Sequence, residues 1–340
     1  MPHSLGILCL AVCLALATSC ASAAPLPYDP GLLSRHEVAV GLGRRMNIVC
    51  FGKGSPTVVF EQGGEGSMLS WQRVEKPISA LTRVCFYDRA GFGYSDPPAE
   101  PVTALSVTDD LHTLLRAAHV GLPVVIVGHS IGGFYATVYA DRFANDVAGL
   151  VLVDPGFAGQ TSYEPPDQRR REMANSHQGE ERLLACAARA RRGELRLDEA
   201  QSCMRYPPAH APDEAAYLGY IVTHPFWYEA EVSASRNYFF GPEGGPSLDS
   251  QQEEAVRRAF GDMPLIVLTA SSAAHNRTDT EATAAAFDAH WKAGHDALAA
   301  RSKRGKSSVV PGSGHFIQLD QPLAVIAAIE EVVANVRASH

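Results

Sequence analysis

The chain alternates short apolar runs with stretches of helical period, the pattern of strands and helices laid down in turn. Val124–Val127 is a β-branched run with no polar alternation, which suits a strand buried on both faces of a parallel sheet. Thr57–Glu61, Arg83–Tyr87, Val147–Val153, Pro264–Thr269 and Ser307–Val310 read as further strands, and Arg35–Leu42 with Arg45–Phe51 as an opening strand pair. Leu105–Ala118 reads as an amphipathic helix, with Leu111, Leu114, Leu115 and Ala118 on one side. A closing helix runs from Gln321 to about Val336 and lines up Val325, Ile329, Val332 and Val336. Strand, helix and strand in succession predict right-handed crossovers and a parallel sheet. Phe157–Asp262 breaks this rhythm. It begins rich in Arg, Glu and Ala (Gln168–Arg196), and aromatics follow, among them Tyr206, Tyr217, Phe226, Trp227 and Tyr238.

The strand at Val124 runs straight into Gly128-His129-Ser130-Ile131-Gly132, and a helical pattern follows. A tight strand–turn–helix leaves Ser130 at the apex, where neighbouring side chains must be small. This G-x-S-x-G elbow, in its strand–turn–helix setting, resembles the α/β-hydrolase family. The resemblance covers roughly His36–Asp154 and Pro264–Val336 and does not reach the insertion. It implies an α/β-hydrolase fold: a mostly parallel eight-stranded sheet flanked by helices, with a helical cap inserted after strand six. On that reading 1–23 is a signal peptide, 24–156 and 263–340 are the two parts of the core, and 157–262 is the cap.

The candidate chemistry follows from the elbow. A serine hydroxyl is a poor nucleophile until a base takes its proton. Among the thirteen His, only His315 lies in a Gly-flanked loop after the last strand, in Ser313-Gly314-His315-Phe316. That run looks like the family's histidine loop, and imidazole can both take and return a proton. A carboxylate is then needed to fix the imidazole tautomer. Most relatives place it after strand seven, where this chain has Ala273, and the nearest later carboxylate is Asp279. Some relatives take it from the tip of strand six, where Asp154 stands. Asp154 is the expected acid and Asp279 the alternative. Resemblance places the two oxyanion amides at Ile131 and at Gly64, although Gln62 stands where many relatives carry histidine. The Tyr87–Asp96 run, YDRAGFGYSD, looks like the family's loop after strand four, where Asp88 and Arg89 can pair and tie loops together.

Seven cysteines and the N-terminus bear on location. Leu5–Ala17 is apolar and Ala21-Ser22-Ala23 supplies small residues before a cut, so the leader reads as a secretory signal, although it lacks Lys or Arg at its start. The apolar stretch is too short to span a bilayer. Cys20, in a loose lipoprotein-like box, offers lipid anchoring as the alternative. Four cysteines remain after the leader, an even number that suggests disulfides in an exported chain. The family's strand order makes strands two and four neighbours, so Cys50 could bridge Cys85; Cys186 and Cys203 both fall in the insertion. With 46% hydrophobic and 19% charged residues over 340, the chain has a sizeable core. A net charge of −8 favours neither nucleic acid nor an anionic membrane.

The expected activity is two-step acyl transfer to water with no metal or organic cofactor. The substrate is a small-molecule ester or amide, with an ester foremost. A prolyl-aminopeptidase-like peptidase and a non-catalytic binding protein that retains the fold are the alternatives.

Overall fold

The computed structural model describes residues 29–162, 164–203, 212–272 and 281–339. The leader with Cys20, and also Ala273, Asp279 and Tyr206, lie outside the described residues.

The first half builds β1 (Glu37–Gly41), β2 (Arg44–Phe51), β3 (Val58–Glu61), α1 (Glu75–Leu81), β4 (Val84–Tyr87) and α2 (Ala104–Ala117). Then come β5 (Val124–His129), α3 (Ile131–Arg142) and β6 (Val147–Val153). Four helices follow before the next strand: α4 (Pro166–Arg191), α5 (Pro212–Val222), α6 (Pro225–Tyr238) and α7 (Leu248–Val256). The chain closes with β7 (Leu265–Ala270), α8 (Glu281–Ala299), β8 (Gly305–Val310), α9 (Ile317–Asp320) and α10 (Pro322–Arg337).

The strands form one eight-stranded sheet in the order β1-β2-β4-β3-β5-β6-β7-β8. Only β2 runs against the rest. Strand order reverses between β3 and β5, which pair directly. In open α/β sheets the crevice outside the strand C-termini at such a reversal is where ligands collect. The loops leaving β3 and β5 carry Gln62–Gly66 and Ser130.

Period-two alternation fills both faces of the sheet. Val58, Phe60, Val125, Val127, Val151 and Val153 meet Ile78 of α1 and Val325, Ile329 and Val332 of α10 on one side. Val59, Ile126, Leu150, Leu152 and Val267 meet Leu111, Leu114, Leu115, Ala136 and Tyr139 of α2 and α3 on the other. The far side of α3 (Phe134, Tyr135, Val138) packs against Leu183, Tyr217, Trp227 and Tyr228 of α4 to α6. This central helix is therefore buried nearly all round, which explains its weak amphipathic pattern. Of the insertion's aromatics, Tyr217, Trp227, Tyr228 and Tyr238 are packing residues, and Phe226 and Phe239 are exposed.

Strand limits differ from expectation where apolarity is a poor guide. β8 begins at Gly305 rather than Ser307, because it is an edge strand whose Lys306, Ser307 and Ser308 need no apolar partner. Cys50 and Cys85 face each other across β2 and β4 and form a disulfide, with Cα atoms 4.1 Å apart. Cys186 and Cys203 form a second within the insertion. Among the described residues no helix is long and apolar enough to cross a membrane.

Candidate active site

Ser130 sits between β5 and α3 with φ +55, a left-handed conformation that lifts its side chain off the sheet. Its amide is tied to the Val153 carbonyl at 3.1 Å and its carbonyl accepts from Gly156 at 2.9 Å, so the turn is held from β6. The space around it is tight. A Cβ at Gly132 would lie 2.3 Å from the Gln62 carbonyl oxygen, and one at Gly63 would lie 2.7 Å from His129 Nδ1. Gly132 lets the elbow meet the loop after β3 backbone to backbone, and Gly63 leaves room for the His129 ring.

The structure brings Ser130, His315 and Asp154 together. His315 Nε2 stands 2.9 Å from Ser130 Oγ, and its Nδ1 stands 2.6 Å from Asp154 Oδ2. A carboxylate only accepts, so Nδ1 carries the proton and Nε2 presents a lone pair to the serine hydroxyl. Asp154 holds φ +43 at the tip of β6 and is almost fully buried. Its other oxygen, Oδ1, accepts from the Ala270 amide and from Trp291 Nε1, each at 2.9 Å. Burial alone would push this carboxyl up. The bonds from His315, Ala270 and Trp291 outweigh it and hold the group below its ordinary 3.8.

His129, next to the serine in sequence, turns toward the histidine loop instead. It is buried, and its Nε2 lies 2.8 Å from the carbonyl oxygen of His315. A carbonyl only accepts, so Nε2–H donates. Burial, then the nearby His315, pushes His129 down to about 3, and it stays a neutral imidazole. It therefore props the backbone of the histidine loop. The loop is also held by Ser313, whose carbonyl accepts from the Ser272 amide at 3.0 Å, and by Asp320, which accepts from the Gly314 amide at 2.8 Å.

The opposite wall is the loop Gln62–Gly66. Arg89, almost fully buried, pairs with Glu61 at 2.6 Å and donates to the carbonyls of Gln62 at 2.5 Å and Gly63 at 2.8 Å. The Gly63–Gly64 peptide is trans, so with its carbonyl drawn to Arg89 its N–H points the other way. Tyr87 hydroxyl donates to the second oxygen of Glu61. Burial raises Glu61 to about 7 against the pull of Arg89. The expected Asp88–Arg89 pair does not form. Consecutive residues leaving a strand point to opposite faces. Asp88 instead accepts from Asn47 Nδ2 at 2.9 Å and from the Tyr94 amide at 3.0 Å.

A group from the insertion completes this wall. Glu231 of α6 accepts from the Glu65 amide at 3.0 Å through Oε2. Its Oε1 lies 3.3 Å from where a Gly64 Cβ would stand, a spot 3.7 Å from the Ile131 side chain. Glu231 and Trp291 carry no sequence signal, because each reaches the site from a helix whose pattern reports only packing. Among the described residues no group of three or more metal-ligating side chains occurs.

A half-exposed serine and histidine backed by a buried carboxylate, at the switch point of such a sheet, is an arrangement suited to nucleophilic hydrolysis. The α/β-hydrolase family pattern matches residues 58–329, and the chain belongs to that family. An uncharacterised Schizosaccharomyces pombe protein is 36% identical over 140 residues, 33% of this chain and 26% of that protein. The chain thus spans about a quarter of that relative's length. Among solved structures, it is similar to the epoxide hydrolase CorEH (TM-score 0.65, 18% identity, 89% of this chain and 99% of that one). It is also similar to the carboxylesterase CesB of Bacillus subtilis (TM-score 0.57, 15% identity, 89% and 92%).

Proposed function

We propose that this chain is an exported serine hydrolase that cleaves carboxylic esters through an acyl-enzyme. The observation that carries the reading is the unbroken relay from Asp154 through His315 to Ser130, at 2.6 and 2.9 Å. A serine nucleophile suits ester chemistry, and the fold is shared with a carboxylesterase. The two disulfides fit an oxidising compartment, as export behind a cleaved 1–23 leader requires. Residues 157–262 act as a cap over the core parts 24–156 and 263–340.

Ser130 Oγ attacks the ester carbonyl carbon while His315 Nε2 takes its proton. The carbonyl π electrons move to oxygen, and the amides of Gly64 and Ile131 hold the resulting oxyanion. Asp154 keeps the imidazole in its productive tautomer and stabilises the imidazolium. Collapse re-forms the carbonyl and breaks the C–O bond. The proton on His315 goes to the departing alkoxide, leaving an acyl-serine. Water then attacks the acyl carbon, His315 takes its proton, and a second collapse returns that proton to Ser130 and releases the acid.

A fluorophosphonate probe tests this directly. It should label the native chain and leave Ser130→Ala unlabelled. A native chain that takes no label is a binding protein, not a hydrolase. p-Nitrophenyl esters of graded acyl length beside aminoacyl p-nitroanilides separate esterase from peptidase, with the esters expected to turn over faster.

A further inference from the structure

His295 is wholly buried on α8, one turn beyond Trp291 and on the same face, and no step of the proposed reaction uses it. Its Nε2 stands 2.8 Å from the Pro155 carbonyl oxygen, and its Nδ1 stands 2.7 Å from Thr269 Oγ1. A carbonyl accepts and cannot donate, so Nε2–H is the donor there. Burial, against the pull of Asp154 and of the Pro155 bond, holds the imidazole below its ordinary 6.5. The neutral ring then accepts a hydrogen bond from the Thr269 hydroxyl at Nδ1. The Pro155 carbonyl shares a peptide unit with the Gly156 N–H. That peptide is trans, so the two groups point in opposite directions. The N–H donates to the Ser130 carbonyl at 2.9 Å. One chain of hydrogen bonds therefore runs from Thr269 on β7, through His295 and the Pro155–Gly156 peptide, to the backbone of the elbow. Every link donates in the same direction, so the links polarise one another. The acid lies alongside: Pro155 follows Asp154, and Ala270, next to Thr269, donates to Asp154 Oδ1.

We propose that His295 is a positioning residue for the nucleophile, fixing the Ser130 backbone relative to Asp154 through the Pro155–Gly156 peptide. The assignment rests on the serine-hydrolase reading, since it concerns where Oγ stands when it attacks. Ser130 and Asp154 both hold left-handed backbone, at φ +55 and φ +43, which persists only where the surroundings impose it. The Ser130 amide bonds to Val153 and its carbonyl to Gly156, so the elbow takes its bearing from the segment Val153–Gly156. Trp291 holds the carboxyl of that segment and His295 holds the peptide after it, so one face of α8 sets both the acid and the nucleophile. The histidine loop is held separately, by His129 and Asp320. A tilt of the Pro155–Gly156 peptide would therefore move Ser130 against His315 rather than carry the two together.

The test compares the full chain with variants at His295 and Thr269. His295→Phe keeps a ring beside Trp291 and Phe157 and removes both hydrogen bonds. His295→Gln replaces the ring with an amide whose Nε2–H can reach the Pro155 carbonyl. A reacting group misplaced by about 1 Å can cost about a hundredfold in rate. His295→Phe should therefore lower both the fluorophosphonate labelling rate and kcat on p-nitrophenyl esters by about ten- to a hundredfold, with KM within about twofold of native. His295→Gln should bring both rates back to within about threefold of native, because the bond to Pro155 is restored. Thr269→Val keeps the volume but removes the hydroxyl that fixes the ring's tautomer, and should lower kcat about three- to tenfold. Urea midpoints are taken on the same samples. A folded His295→Phe that labels at the native rate overturns the assignment, even if its midpoint falls, and so does a loss confined to KM or one that His295→Gln does not recover. If His295→Phe does not fold, Thr269→Val decides, and a native kcat there overturns the assignment. These outcomes leave the hydrolase reading standing, whereas a native chain that takes no label defeats both.

Discussion

Two carboxyl groups stand near the elbow, Asp154 against His315 and Glu231 against the Gly64 loop, and they end on opposite sides of their ordinary values. Asp154, on the β6 side, is held below its ordinary 3.8, whereas Glu231, on the insertion side, rises to about 7. Both are penalised most by loss of water. The difference is in the donors. Asp154 receives His315, the Ala270 amide and Trp291, and Glu231 receives one backbone amide. Donor count, not depth, decides which carboxyl carries a charge in the resting site. On the proposed mechanism Asp154 stabilises an imidazolium, whereas Glu231 holds its proton up to about 7.

The sharpest way to break this comparison is to take away the charge of Asp154. Asp154→Asn keeps the shape but offers His315 Nδ1 a donor as readily as an acceptor, which favours the wrong tautomer. We expect kcat to fall roughly ten-thousandfold, as in other such relays, with KM little changed, in steady-state assays on the best ester. Asp279→Asn is the control. If that variant loses the activity and Asp154→Asn does not, the acid belongs after β7.

The next test removes the cation under the Glu231 wall. Arg89→Met leaves Glu61 buried without its partner and frees the carbonyls of Gln62 and Gly63. Breaking one half of a buried pair costs about 3–5 kcal/mol, to be read from urea unfolding. Arg89→Lys keeps the charge and should recover most of the stability. It cannot hold Glu61 and two carbonyls with one fork, so its kcat should stay low while KM is near native. A native kcat in Arg89→Lys would show that the Gly63–Gly64 peptide needs no such hold.

How far the chain could be read in advance follows the same divide. Ser130, Asp154 and His315 each stand just past a strand, and the strands announce themselves as β-branched runs with glycines or Pro155 at their ends. The sheet and its neighbour pairs, Cys50–Cys85 included, follow from those runs and the family's order. The partners of Asp154 and Glu231 were not legible. Trp291 and Glu231 lie on helices more than a hundred residues from their partners, and a helical pattern does not say which turn meets a distant loop. Asp88 and Arg89 misled because adjacency in sequence suggests a pair, whereas strand geometry sends them to opposite faces. His129 follows the same strand rule. Pointing away from the serine sent it into the histidine loop.

Trimming one donor from Asp154 should have a smaller effect than removing its charge. Trp291→Phe deletes the indole N–H and keeps an aromatic ring between Phe157 and Phe287. A hydrogen bond to a charged group contributes about 1.5–3 kcal/mol. The Ala270 amide remains on the same oxygen, so we expect about a tenfold loss in kcat and an upward shift of the Asp154 carboxyl. An unchanged kcat would mean that the indole is packing, not part of the relay's charge control.

The smallest expected effect is on stability against pH, and the two carboxyls should give opposite signs. Asp154 titrates lower in the folded chain than when unfolded, so its contribution is present above its ordinary 3.8 and is lost as pH falls below it. Glu231 titrates higher, at about 7 against an ordinary 4.5, so between those values the folded chain holds a proton that the unfolded chain has released. Its contribution is full at low pH and is lost as pH rises through that window. Glu61 and Asp249, also raised to about 7, act in the same direction, so only the difference between variants isolates Glu231. Urea midpoints of native chain and Glu231→Gln, taken at pH 5 and pH 7.5, should differ in slope, the native chain losing more stability on the way up. Equal losses would mean that Glu231 is already ionised at pH 5. The contrast with Asp154 would then disappear.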